Sequence, residues 1–214
     1  MCTGHRQVDF EVICKYLSDV SMLKAYKLLG LALWAEKMTT LVFVDAHATD
    51  WVDQAKSLTM DYFQWMNREI IQACQFSIPD IVDMPLDAYV EAAAAAICPK
   101  NTPNSAFYLL TVSGRTVGMG GLRQLPDGNG EIVRIYVDPD CRGNGYGSMI
   151  MRHLVSEAQR FAYQRLYLDT GCFMKSAHYL YQACGFVDCP AYAGAEPPAE
   201  LHPYWRFMKL DLTQ

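Results

Sequence analysis

The sequence predicts an α/β (α+β) domain, a mixed, mostly antiparallel twisted sheet with helices packed around it. Three observations carry that expectation. Two runs of period-two alternation, Phe107–Val112 and Thr116–Leu122, flank a Ser113-Gly114 turn and read as a hairpin. A glycine-rich stretch from Val137 to Gly147 joins a strand to a helix in which Ile150, Met151, Leu154, Val155, Ala158 and Phe161 share one face. A single strand-helix-strand unit then follows, where a doubly wound parallel sheet would need several and would not begin with antiparallel hairpins.

The remaining elements fall into place around these. Leu41–Val44 reads as a first strand running through Asp45, His47 and Thr49 into a helix N-cap, and Trp51–Cys74 continues as helix. Pro79 and Pro85 break it. Leu86–Ile97, with five consecutive alanines, is a second helix that stops before Pro99. Glu131–Val137 follows the Asp127–Gly130 turn as a strand, Arg165–Asp169 is another, and Ser176–Cys184 is a helix with Gly185 as its C-cap. Tyr204–Leu212 closes the sheet, after a loop from Pro190 to Pro203 whose length suggests a functional role. Residues 1–37, where Ile13, Leu17, Val20 and Leu23 recur at helical spacing, form a separate helical extension ahead of a folded domain over 38–214. The helical face at residues 12–24 offers a contact for a homodimer.

Composition narrows the function classes. With 51% hydrophobic and 19% charged residues, most of the chain has enough apolar surface to build a core, which excludes disorder. A net charge of -5 gives no field to attract a phosphate backbone, so nucleic acid is not the expected partner. The eight cysteines lack C-x-x-C pairs and zinc spacing, so they read as free, mostly buried thiols in a reducing cytoplasm, and no metal is expected. The apolar run Leu28–Ala35 ends at Glu36 and Lys37, far short of a membrane span, and Asp9, Glu11 and Asp19 upstream do not make a basic leader. The expected protein is cytoplasmic, with no membrane partner.

The glycine stretch carries the chemistry. Between Val137 and Gly147 the chain supplies Arg142, Gly143, Asn144, Gly145, Tyr146 and Gly147, followed by Ser148, at the start of a helix. Free N–H groups and the positive end of the helix dipole make such a place a cradle for phosphates. A Walker A loop is excluded, because no Gly-Lys-Ser/Thr follows. A dinucleotide fingerprint is nearer, with Gly143-x-Gly145-x-x-Ser148 and Asp169 ending the following strand, but Asp138–Arg142 intervene where a Rossmann strand turns at once into its first glycine.

Arg142-x-x-Gly145-x-Gly147 together with Ala177-x-x-Leu180-Tyr181-x-x-x-Gly185-Phe186 resembles the GNAT N-acetyltransferases, in their order and at their distance, and the likeness covers Met38 to the C-terminus. The resemblance implies a GNAT fold with helices on both faces of the sheet, and acetyl-CoA as donor. It implies that the pyrophosphate rests on Arg142–Ser148. Pantetheine would lie along Ile135, Tyr136 and Val137, where the strand splays from its neighbour, with the Val137 N–H facing the thioester oxygen.

The same resemblance makes Glu131 the general base that takes a proton from the amine and Tyr181 the acid that protonates the departing thiolate. A solvated glutamate at a strand start and a core aromatic on a helix face are the other readings of those two positions. Met174 stands where many members carry Asn. The lone His47, His178 and His202 are assigned no role. The function this implies is acetyl transfer to a primary amine, by direct attack in a ternary complex. A small-molecule amine is favoured over a protein N-acetyltransferase role. A binding module without turnover is the alternative that Glu131 and Tyr181 argue against. In this fold Trp51–Ile97 and Pro190–Pro203 would choose the acceptor, and neither carries a readable specificity motif.

Overall fold

A computed structural model describes residues 40–48, 50–97 and 102–212. The helical extension and the homodimer contact expected over residues 1–37 lie outside them. The strands are β1 (Leu41–Asp45), β2 (Ala106–Val112), β3 (Arg115–Gln124), β4 (Gly130–Val137), β5 (Arg165–Gly171), β6 (Val187–Cys189) and β7 (Trp205–Asp211). The helices are α1 (Val52–Cys74), α2 (Ile78–Val82), α3 (Leu86–Ile97), α4 (Tyr146–Arg160) and α5 (Lys175–Ala183). The seven strands form one sheet in the order β1-β2-β3-β4-β5-β7-β6.

Every pairing is antiparallel except β4 with β5. That parallel pair is short, with Gly130 opposite Leu166 and Glu131 opposite Tyr167. Beyond Glu131 the strands part. A bulge sets the parting: between the Met119–Tyr136 and Gly121–Val133 pairs, β4 spends one residue more than β3, and Arg134 sits there in the left-handed region at φ 55°.

Strand alternation divides the core between the two faces. On one face Leu110, Leu122, Ile132, Leu166 and Leu168 pack with Ile150, Met151, Leu154 and Ala158 of α4 and with Tyr181 of α5. On the other, Leu109, Met119, Val133 and Tyr136 meet Leu58 of α1. Phe63, Met66 and Ile70 of α1 join Ile78 and Val90 in a further cluster. Each fully buried Leu, Ile, Phe or Met among them contributes about 1.5–3 kcal/mol. Helices therefore cover both faces of a mostly antiparallel sheet, as the sequence implies. Gly120 is what lets α4 come so close, since a Cβ there would lie 2.6 Å from Ile150 Cγ2.

Some expectations need correction. The helix after β1 is capped at Trp51 without a side-chain bond, because Asp45 instead accepts from the His47 N–H at 2.8 Å in a local turn. Pro79 does not end the helical region; it occupies the first turn of α2, whose N-cap Ser77 and Asp80 form a capping box. Of the described cysteines Cys141 is buried, Cys172 is exposed and three lie between, all of them free. Among the described residues no helix is long and apolar enough to cross a membrane.

Candidate active site

Where β4 and β5 separate, a cavity of about 480 Å³ opens, and its lining includes the glycine loop, Asp169, Glu196 and Trp205. One part of that lining is the start of α4. Gly145 is the N-cap at φ 78°, a conformation a side chain resists, and the first helical bond runs from Met149 N–H to Gly145 O at 3.1 Å. The N–H groups of Tyr146, Gly147 and Ser148 thus have no acceptor within the helix. A Cβ built at Gly143 or Gly145 meets nothing within 4 Å, so the backbone borders open space. Arg142 donates to Val137 O at 3.1 Å and lies over the rings of Trp65 (5.3 Å) and Tyr136 (5.7 Å). An open, donor-lined turn with a fixed arginine fits a phosphate group.

The cavity floor is β4, with Ile135, Tyr136 and Val137 in its lining. Of the residues the sequence singles out, Arg142, Gly143, Gly145, Tyr146, Gly147, Ser148 and Tyr181 line it as well. Asn144 turns away and donates to the Cys141 carbonyl at 3.0 Å, a loop-closing role. Tyr181 is 7% exposed, and burial, then the charge of Asp169, pushes its hydroxyl well above the usual range, so it is protonated at neutral pH. Met174 is part of the wall. His178 and His202 serve backbone carbonyls, of Gly171 at 3.0 Å and Pro197 at 3.1 Å.

Glu131 is neither solvated nor in the cavity wall. Its side chain is fully buried, paired with Arg123 Nε and accepting from the Tyr192 hydroxyl at 2.5 Å. Burial raises its pKa, against the lowering effect of Arg123 and Tyr192. The carboxylates that line the cavity are Asp169 and Glu196. Asp169, two residues before the end of β5, accepts from Trp205 Nε1 at 2.9 Å, and burial followed by the charges of Glu131 and Glu196 holds it well above the usual carboxylate range.

Sequence reasoning used Asp169 only to weigh a ribose contact and passed over Glu196, because neither belongs to a motif. The available signal was the long loop itself. It is tied over β3 and β4 at three points: Tyr192 to Glu131, Arg123 Nη2 to Gly194 O at 2.6 Å, and Arg134 Nη2 to Glu196 at 2.7 Å.

The acetyltransferase (GNAT) family matches residues 61–186. The chain belongs to this family. It is 32% identical over 114 residues to the uncharacterized N-acetyltransferase YedL of Escherichia coli (strain K12), covering 52% of this chain and 69% of that one. It is 31% identical over 87 residues to the IAA acetyltransferase of Azospirillum brasilense, covering 40% of this chain and 57% of that one. Among solved structures, the GNAT-family acetyltransferase of Staphylococcus aureus Mu50 superposes with a TM-score of 0.60 at 16% identity, over 81% of this chain and all of the other. The acetyltransferase yncA of Salmonella typhimurium, solved with its cofactor acetyl-CoA, gives a TM-score of 0.50 at 14% identity, over 82% and 95% of the two chains. These two likenesses concern the fold.

Proposed function

We propose that this GNAT chain is an acetyl-CoA-dependent N-acetyltransferase that acetylates the primary amine of a small molecule by direct attack in a ternary complex. The observation that carries the reading is the continuity of one cavity from an anion cradle, across a parted strand, to two carboxylates. Acetyl-CoA supplies the activated acyl group. Arg142, Gly143 and residues 145–148 hold its pyrophosphate, Ile135, Tyr136 and Val137 flank the pantetheine, and the Val137 N–H stabilises the oxyanion. The amine nitrogen bonds to the thioester carbon, the C–S bond breaks, and Tyr181 returns a proton to the thiolate.

For deprotonating the amine, cavity lining favours Asp169 over Glu131. Burial raises the pKa of Asp169, the direction in which a carboxylate becomes a stronger base. Glu131 then acts indirectly, by its charge on Asp169 and by anchoring the loop through Tyr192. A small acceptor is supported by the partly exposed apolar side chains in the lining, Ile81, Val82 and Phe173. The test is CoA release from acetyl-CoA with a panel of amines, beside thermal shift with acetyl-CoA and with NAD. Saturating acetyl-CoA at about a hundred times its Kd adds roughly 2.7 kcal/mol to stability. A shift with NAD and none with acetyl-CoA rejects the reading.

A further inference from the structure

Arg134 lines the cavity with only 2% of its side chain exposed, from the left-handed bulge position of β4. Burying a guanidinium is costly unless its donors are matched. The match here is incomplete. Nη1 donates to Ala93 O at 3.0 Å and Nη2 to Glu196 Oε1 at 2.7 Å, while among the described residues Nε has no hydrogen-bond partner. Glu196 is itself 36% exposed and sits on a loop, so this carboxylate reaches in from the surface. The guanidinium carbon lies over the Phe63 ring, 4.9 Å from its centroid.

A flat, buried guanidinium with an unmet donor is a receptor for a planar anion, and a carboxylate matches its fork. Also in the wall are the carboxyl of Asp169 and the partly exposed apolar Ile81, Val82 and Phe173. We infer that the acceptor is an α-amino acid with a large apolar side chain, whose carboxylate pairs with Arg134 while its body lies against the partly exposed Ile81, Val82 and Phe173. This rests on the acetyl-transfer reading above and adds the substrate class. Glu196 is the internal carboxylate that competes for the same guanidinium, and Asp169 faces the amine.

The experiment compares steady-state CoA release with L-phenylalanine, L-phenylalaninamide and phenethylamine, and the leucine counterparts, alongside calorimetric acetyl-CoA binding. Wild-type kcat/KM is expected to be about 10²-fold higher with the carboxylate present, the effect of one charge-assisted pair in a desolvated site. Arg134→Gln should collapse that ratio to below about fivefold. Glu196→Gln should move it the other way, lowering KM for the carboxylate-bearing amines several-fold. The second variant keeps the test decisive if Arg134→Gln does not fold. Equal turnover with and without the carboxylate, a ratio preserved in Arg134→Gln, or a raised KM in Glu196→Gln overturns the inference. So does acetyl-CoA binding with no turnover of any carboxylate-bearing amine. Failure to bind acetyl-CoA at all overturns the acetyl-transfer reading itself.

Discussion

Tyr192 donates its hydroxyl to Oε1 of Glu131 at 2.5 Å and so fastens the loop between β6 and β7 to the start of β4. Arg123 donates to the other oxygen of the same carboxylate. In Glu131→Gln the new amide nitrogen must face one of these donors, so stability should fall by about 1–3 kcal/mol in denaturant titration. Glu131 also raises the pKa of Asp169. Removing that negative charge lowers it, keeps the base ionised to lower pH, and moves the acid limb of kcat/KM downward. A loss of about 10² or more in turnover with an unmoved limb would restore Glu131 as the base.

Asp169→Asn removes the carboxylate in the cavity wall but leaves an oxygen for Trp205 Nε1. Turnover should fall by about 10² or more while calorimetric acetyl-CoA affinity stays within a few-fold. Stability gives a second readout. The folded-state pKa of Asp169 lies well above its ordinary 3.8, so its contribution is full below that value and is lost as pH rises through the folded value. The Tm of Asp169→Asn relative to wild type should therefore increase with pH. A difference that stays flat across the range contradicts the burial of this charge.

Tyr181→Phe deletes one hydroxyl from a side chain that is 7% exposed and packed with Phe186. Its ring contacts survive. Turnover should drop by roughly 10² with Tm and acetyl-CoA affinity nearly intact, the pattern of an interaction made in the transition state. A variant that instead loses stability and keeps turnover marks Tyr181 as a core residue.

Gly145→Glu puts a side chain and a negative charge on the open side of the α4 N-terminus, at a backbone angle of φ 78°. The conformation should cost about 1–2 kcal/mol. The thermal shift with acetyl-CoA should vanish. Gly145→Ala, which carries the strain without the charge, should keep part of the shift; if both variants bind alike, the loop is only a turn.

The sequence made the elements and the glycine loop readable because both rest on local chemistry. Period-two alternation placed β2 and β3, and the glycines marked the start of α4. The carboxylates and arginine of the cavity were not readable, because they meet only through tertiary packing. Arg134 lies on β4, Asp169 on β5 and Glu196 in a loop, and no spacing links them. Glu131 shows the limit of motif transfer. Its position along the chain matched the expected base, but whether a carboxylate faces a cavity or a loop depends on Arg123 and Tyr192, remote partners that pattern reading does not weigh. The place of β7 between β5 and β6 was equally silent, since strand order is a property of the folded sheet.

The parting of β4 from β5 past Glu131 gives the sheet an edge in its middle. Along β4 beyond that point, backbone groups turned toward β3 are held in a ladder, and those turned toward β5 have no strand to pair with. Neighbouring amides of one strand should then exchange hydrogen for deuterium at very different rates, slow and fast by turns, in the free protein. A ligand that lies along the strand as a substitute neighbour would slow the fast set and leave the other untouched, so the exchange pattern of β4 alone reports whether the seam is filled.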